Sequence, residues 1–155
     1  MRTMFWFRRP AASLLAALLL SCVSLAFSAA EIPDKPFAVA KVALQISDDD
    51  PAKQTLVMNV ASNMLKHYGP DKAAIEIVAF GPGLRLMYAD NANRKRLDGL
   101  SAEGVTFHAC ANTIAGHTAL RDGVPPEIIP YATSDTGAIV RIMDLTKAGY
   151  VLMKP

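Results

Sequence analysis

The chain has 155 residues, of which 52% are hydrophobic, and it carries 16 basic and 14 acidic side chains. Three of the basic residues and none of the acidic ones lie in residues 1–30, so residues 31–155 hold 13 basic and 14 acidic side chains and are nearly neutral. This balance offers no basic surface for nucleic acid, and we expect no nucleic-acid partner. Residues 31–155 suffice for one domain with its own core.

Residues 1–30 have the layout of a secretory signal peptide. Three arginines precede an almost unbroken apolar run over residues 11–27, and Ser28-Ala29-Ala30 then supplies small residues. We predict export to the periplasm, cleavage after Ser28 or Ala30, and no stable membrane insertion afterwards. Three alternatives compete with this prediction: an uncleaved anchor, a twin-arginine signal at Arg8-Arg9, and a lipoprotein box ending at Cys22.

The first predicted elements are a buried strand and an amphipathic helix. Residues 38–46 are nearly continuously apolar, which is typical of a strand covered on both faces. Asp50 as cap and Pro51 as first residue predict the start of a helix over 52–68, which Gly69-Pro70 ends. Asp48-Asp49-Asp50 could also ligate a metal, but capping is favoured, and we predict neither a metal site nor a cofactor. The apolar positions with helical spacing are Leu56, Val57, Val60, Ala61, Met64, Leu65 and Tyr68.

A second strand over 73–80 ends in Gly81-Pro82-Gly83. This loop lacks the Lys-Ser/Thr ending of a phosphate-binding loop. Gly81 and Gly83 either make a tight turn or let a ligand approach the backbone, so both are candidate ligand-binding residues. A short apolar helical turn over 84–88 and a mostly solvated helix over 91–100 are predicted next.

Cys110 is the main candidate for chemistry. It follows a predicted strand over 105–109 and precedes a predicted helix that runs to about Arg121. The amino terminus of a helix favours a thiolate, and Asn112 and Thr113 would present N–H groups to it. Once Cys22 leaves with the signal peptide, Cys110 has no cysteine to pair with in its own chain. The alternatives are a buried, inert thiol and a disulfide between two chains.

His108 lies two residues before Cys110, so on a strand it points to the same face. It is a second candidate catalytic residue that would assist ionisation of the thiol, although a plain core histidine is the more common use. His117, two helical turns further along, has a weaker case.

The carboxyl-terminal third predicts a strand, a helix and a last strand. Residues 128–132 read as an irregular or edge strand because of Pro130, and Ser134 is the predicted cap of the following helix. Residues 150–153 form the last strand. The alternation of strands and helices predicts a three-layer α/β/α, flavodoxin-like domain with a mainly parallel sheet of about five strands. The predicted buried stripe of the last helix is Ala138, Ile139, Ile142, Met143 and Leu145.

Residues 38–155 resemble the DsrE/DsrF-like proteins. The most specific matches are the stretch over 104–113, Gly-Val-Thr-Phe-His-Ala-Cys-Ala-Asn-Thr, and the ending over 148–155, Ala-Gly-Tyr-Val-Leu-Met-Lys-Pro. The first strand with its Asp-rich turn, the helix stretch Asn59–Leu65 and residues 78–83 are less specific parts of the match.

The resemblance implies a flavodoxin-like fold, a homotrimer or homohexamer, and a functional cysteine at Cys110. In sulfur-relay members of that family, this cysteine accepts sulfane sulfur as a persulfide and passes it to a partner protein. Those members work inside the cell, whereas this chain carries a predicted export signal.

Two hypotheses follow for residues 31–155. The first is a periplasmic thiol protein that carries or transfers sulfane sulfur through Cys110. Its expected partners are a sulfur donor and a sulfur-acceptor protein. Whether it is a sulfurtransferase or only a sulfur carrier is left open. The second is a non-catalytic module that binds a small ligand or oligomerises, in which Cys110 only lines a pocket with Gly81 and Gly83.

Overall fold

The structure is a computed structural model that describes residues 31–33 and 35–155, so the predicted signal peptide lies outside the described residues. One sheet of five parallel strands organises the domain, in the order β4-β3-β2-β1-β5. Its strands are β1 (Ala40–Ile46), β2 (Ala73–Ala79), β3 (Thr106–Ala109), β4 (Ala132–Thr133) and β5 (Val151–Met153). The helices are α1 (Pro51–Tyr68), α2 (Arg94–Ala102), α3 (Ala111–Ala119) and α4 (Ala138–Lys147), with a 3₁₀ segment over Gly81–Met87.

Helices cover both faces of the sheet, which gives the predicted three-layer, flavodoxin-like fold. Helices α1 and α2 and the 3₁₀ segment pack on one face, here called the α1 face, against the larger apolar core. Helix α4 packs on the opposite face, the α4 face, over a smaller cluster that includes Val78, Cys110 and Tyr150. Burial on both faces explains why β2 is buried at every position.

The strand register brings three carboxyl ends to one edge of the sheet. Ile46 of β1 lies opposite Ala79 of β2, and Ala79 lies opposite Ala109 of β3. The turns that follow these strands are therefore neighbours, and the next residue after β3 is Cys110.

The predicted strand over 128–132 is wrong in its position. The regular strand is Ala132–Thr133, while Ile128 makes an isolated antiparallel bridge to Tyr88. The N–H of Ile129 donates to the Met87 carbonyl (2.9 Å), so this stretch pairs with the end of the 3₁₀ segment before it reaches β3.

The predicted start and buried stripe of the last helix also need correction. Gly137, and not Ser134, is the cap residue of α4, and it makes no side-chain capping hydrogen bond. Ile139 and Met143 are 62% and 55% exposed, whereas Arg141 is buried with Ala138, Ile142 and Leu145. The helix is rotated in this way because Arg141 pairs with a carboxylate on the sheet.

Smaller differences concern α1 and α3. In α1, Leu56 and Tyr68 are exposed, and Gln54 and Met58 are buried in addition to the predicted Val57, Ala61 and Leu65. Helix α3 ends at Ala119, before Arg121. Within the described part of the chain, no helix combines the length and apolar character needed to span a bilayer.

Candidate functional site

Cys110 lies at the carboxyl end of β3, beside the crevice that the topology creates between β3 and β4, where the chain changes sides of the sheet. Strand β3 leads into α3, whose Ile114 packs on the α1 face, while the neighbouring strand β4 leads into α4 on the α4 face. In open α/β sheets, ligands bind in such a crevice beyond the carboxyl ends of the strands. The sequence predicted Cys110 at the end of a strand, and the topology adds that this end adjoins the crevice.

The Cys110 sulfur is placed between the amino termini of two helices. Cys110 is the cap residue of α3, and the N–H of Ala138, the first residue of α4, donates to Sγ at 3.3 Å. Cys110 makes no capping hydrogen bond of good geometry to α3, so the Ala138 N–H is the better-aligned backbone donor. The residue is only 6% exposed. Two helix dipoles therefore act on one nearly buried thiol.

Burial and hydrogen bonding act in opposite directions on the pKa of Cys110. Burial raises it, whereas the Thr113 hydroxyl and the N–H groups of Ala138, Thr113 and Asn112 lower it, and the balance leaves the pKa below the usual thiol value. Donors aimed at a thiolate stabilise its charge, which makes the sulfur a better nucleophile at neutral pH. Asn112 and Thr113 lie in the first turn of α3, next to Cys110, and their role as donors to a functional thiolate stays a prediction.

Gly81 and Gly83 have intramolecular roles at this edge. Gly81, with φ of +53°, donates its N–H to Thr113 Oγ1 (3.0 Å), which fixes the hydroxyl that acts on Cys110. A Cβ on Gly83 would lie 2.5 Å from the Ile46 carbonyl oxygen, so the 3₁₀ segment packs directly on the backbone of β1. Ligand binding by these glycines stays a prediction.

His108 is fully buried on the α4 face, the face that also contains Cys110. Its Nδ1 lies 2.9 Å from Thr133 Oγ1 and its Nε2 lies 3.1 Å from the Thr136 carbonyl oxygen. Burial lowers the pKa of His108, which favours the neutral imidazole. His117, on the α1 side of the crevice, instead contacts the Tyr88 hydroxyl through Nδ1 at 2.6 Å.

A buried ion pair beneath α4 was not predicted. Arg141 donates from Nε and a terminal nitrogen to the two carboxylate oxygens of Glu76, at 2.7 and 2.8 Å, and Thr106 Oγ1 donates to Oε2 at 3.2 Å. The signal in the sequence was the single acidic residue within the apolar strand β2. The pair ties α4 to the centre of the sheet and so positions its amino terminus at Cys110.

The Asp48–Asp50 turn behaves as a capping turn. Asp50 accepts the Ala52 N–H at 2.7 Å, and Asp48 pairs with Lys53 at 3.0 Å. Across residues 31–33 and 35–155, no three His, Cys, Asp or Glu side chains converge as metal ligands would.

Comparison with known proteins supports the fold alone. No family model and no curated protein matches the chain. Among solved structures, it is similar to a protein of unknown function from Methanobacterium thermoautotrophicum, MTH1491, with a TM-score of 0.66 and 21% identity. The match covers 75% of this chain and 99% of that one.

Proposed function

We propose that this protein carries sulfane sulfur on Cys110. The observation that carries the proposal is the position of Cys110 Sγ at the amino termini of α3 and α4, where surrounding donors lower the pKa of the thiol. A thiolate held in this way is the form that attacks sulfur. The resemblance of residues 104–113 and 148–155 to the DsrE/DsrF-like sulfur-relay proteins supports the same chemistry.

The transfer step is a thiolate–sulfane exchange. The Cys110 thiolate attacks the outer sulfur of a donor persulfide, R–S–S⁻, and a new S–S bond forms as the old one breaks. The donor leaves as the thiolate R–S⁻, and Cys110 holds the persulfide. Attack by an acceptor thiolate on the outer sulfur then returns Cys110 to its thiolate. Atoms, charge and electrons balance without an external oxidant or reductant.

The proposal includes export and self-association. We propose that residues 1–30 direct the protein to the periplasm and are removed, and that the mature protein is a homotrimer or homohexamer. The exposed apolar side chains of Ile139, Val140 and Met143 on α4 support association, because α4 leaves them in solvent in the single chain. Light scattering of the mature protein should give a trimer or larger, and a monomer at micromolar concentration would contradict this part.

The test of sulfur transfer is the intact mass of the native protein after treatment with an inorganic polysulfide. One added sulfur, about 32 mass units, should appear and should map by peptide analysis to the peptide that contains Cys110. Cys110→Ser should not gain this mass on that peptide, while Thr118→Ser, a hydroxyl change on the same helix, should gain it as the wild type does. Failure of the native wild type to gain sulfur would overturn the proposal.

A specific observation favours a second candidate, the non-catalytic module. Cys110 is only 6% exposed, and a thiol with so little exposure is often inert. In this alternative, Cys110 packs between β3 and α4 and the protein acts through ligand binding or oligomer formation. It predicts that the native thiol takes up no sulfur and becomes reactive only in the unfolded chain.

A further inference from the structure

His108 is joined through its ring nitrogens to the end of β4 and to the loop between β4 and α4. The Thr136 carbonyl oxygen only accepts, so Nε2, at 3.1 Å, is the nitrogen that carries the proton of the neutral ring. In that tautomer Nδ1 is an acceptor for the Thr133 hydroxyl at 2.9 Å, and the Phe107 carbonyl oxygen, at 3.3 Å, is the other acceptor within reach of that hydroxyl. The two contacts hold the chain at Thr133 and at Thr136, and neither nitrogen is directed to the Cys110 sulfur.

The same loop leads directly to Ala138, the first residue of α4 and a donor of the Cys110 site. The Thr136 carbonyl oxygen also accepts the Ala111 N–H at 3.0 Å, so it joins the loop to the first residue of α3. Ala138 follows two residues later, and its N–H lies 3.3 Å from Cys110 Sγ. A displacement of Thr136 would therefore move the donor away from the sulfur.

We propose that His108 is a positioning residue: its Nε2–H holds the Thr136 carbonyl and thereby keeps the Ala138 N–H on the Cys110 sulfur. This inference rests on the proposed function only in assuming that the Cys110 thiolate is used for sulfur transfer. The charged groups that face the ring are Glu76 and Arg141, together with Asp135, whose Oδ1 lies 3.9 Å from Nδ1. Burial lowers the pKa of His108, which favours the neutral ring, and the neutral ring has a single N–H for Thr136.

Two substitutions separate the two ring nitrogens. A glutamine amide nitrogen reaches the position of Nε2, so His108→Gln retains the donor to Thr136. An asparagine amide reaches only the position of Nδ1, so His108→Asn retains the contact with Thr133 and loses the one with Thr136. The measurement is the rate at which iodoacetamide alkylates Cys110 in the native protein at mildly acidic pH, where the rate follows the thiolate fraction.

We expect His108→Gln to react at nearly the wild-type rate and His108→Asn to react about tenfold more slowly. The expected slowing corresponds to the loss of about one hydrogen bond to the thiolate, the one from the Ala138 N–H. Tyr88→Phe, which removes the corresponding contact of His117, should leave the rate unchanged. Equal rates for wild type, His108→Gln and His108→Asn would overturn the proposal, and so would equal slowing of both variants.

A substitution at a second site tests the proposal even if the His108 variants fail to fold. Thr133 is exposed in the short strand β4, so Thr133→Val should be tolerated, yet it removes the hydroxyl that orients the imidazole. Thr133→Val keeps the Nε2–H that binds Thr136, as His108→Gln keeps its donor, so it should react at nearly the wild-type rate. Tenfold slowing of Thr133→Val would contradict the proposal, because the contact with Thr133 and not the one with Thr136 would then control the rate. Alkylation requires no sulfur donor, so its outcome is independent of whether Cys110 carries sulfur.

Discussion

Two strand-to-helix turns lie at the same edge of the sheet and differ in what covers them. In the β1–α1 turn, Asp50 is exposed and satisfies the helix terminus with its own carboxylate, through the Ala52 N–H at 2.7 Å. In the β3–α3 turn, Cys110 is buried, and its best-aligned donor is Ala138, which belongs to another helix. The local sequence begins a helix in both cases, but only Asp50 caps its helix with its own side chain. A backbone donor from a second helix reaches the side chain only where α4 closes over the turn.

The largest effect should come from releasing α4 from the sheet. Glu76→Ala removes both carboxylate oxygens that bind Arg141 and leaves a buried guanidinium without this partner. Breaking a buried ion pair by removing one member costs about 3–5 kcal/mol, so the free energy of unfolding should fall by that amount. Urea unfolding measures the loss.

The control for that variant is an ion pair on the exposed side of the same helix. Asp144 pairs with Lys147 at 3.2 Å in solvent, and Asp144→Ala should cost at most about 1 kcal/mol. If Glu76→Ala cost no more than Asp144→Ala, the buried pair would not be what secures α4 over Cys110.

A smaller loss of stability should follow from disturbing the 3₁₀ segment that joins the two turns. The 3₁₀ segment lies between them, since Gly83 packs on the Ile46 backbone and Gly81 donates to Thr113. Gly83→Ala would place a methyl group 2.5 Å from a backbone oxygen, and we expect a loss of about 1–3 kcal/mol in urea unfolding. Gly116→Ala is the matched control: open space surrounds it in α3, so it should gain up to about 1 kcal/mol. Equal stability of the two variants would contradict the packing described.

The third change affects reactivity more than stability, although it also removes the acceptor of the Gly81 N–H. Thr113→Val removes the hydroxyl that lowers the pKa of Cys110, so alkylation at mildly acidic pH should slow by about tenfold, while Thr113→Ser should retain the wild-type rate. In the other turn, Asp50→Ala should cost about 0.5–2 kcal/mol of stability and leave alkylation unchanged. A change in alkylation for Asp50→Ala, or none for Thr113→Val, would remove the distinction between the turns.

The sequence predicts the features that local rules determine. Apolar runs predict β1, β2, β3 and β5, Asp50-Pro51 predicts the start of α1, and the strand-to-helix junction at Cys110 follows from the residues around it. The three-layer fold then follows from the alternation of elements.

The sequence does not predict features that depend on distant packing. Ala138 has no side-chain polar group, and only the crossing of α4 over the sheet brings its N–H to Cys110. Ile139 and Met143 fit a buried stripe by spacing, yet the pairing of Arg141 with Glu76 turns them to solvent. These positions are set by contacts between residues far apart in the chain, which periodicity cannot reveal.

The most direct test of the central claim is the pH dependence of Cys110 alkylation in the native protein and in the unfolded chain. The native thiol should titrate below the value of about 8.5 expected for a free cysteine, because the donors at α3 and α4 outweigh burial. By linkage, the thiolate then adds stability that is full above the unfolded pKa and is lost as the pH falls through the native pKa. A native thiol that does not react until the chain is unfolded would contradict the account, because the effect of burial on the pKa of Cys110 would then outweigh that of the two helix termini.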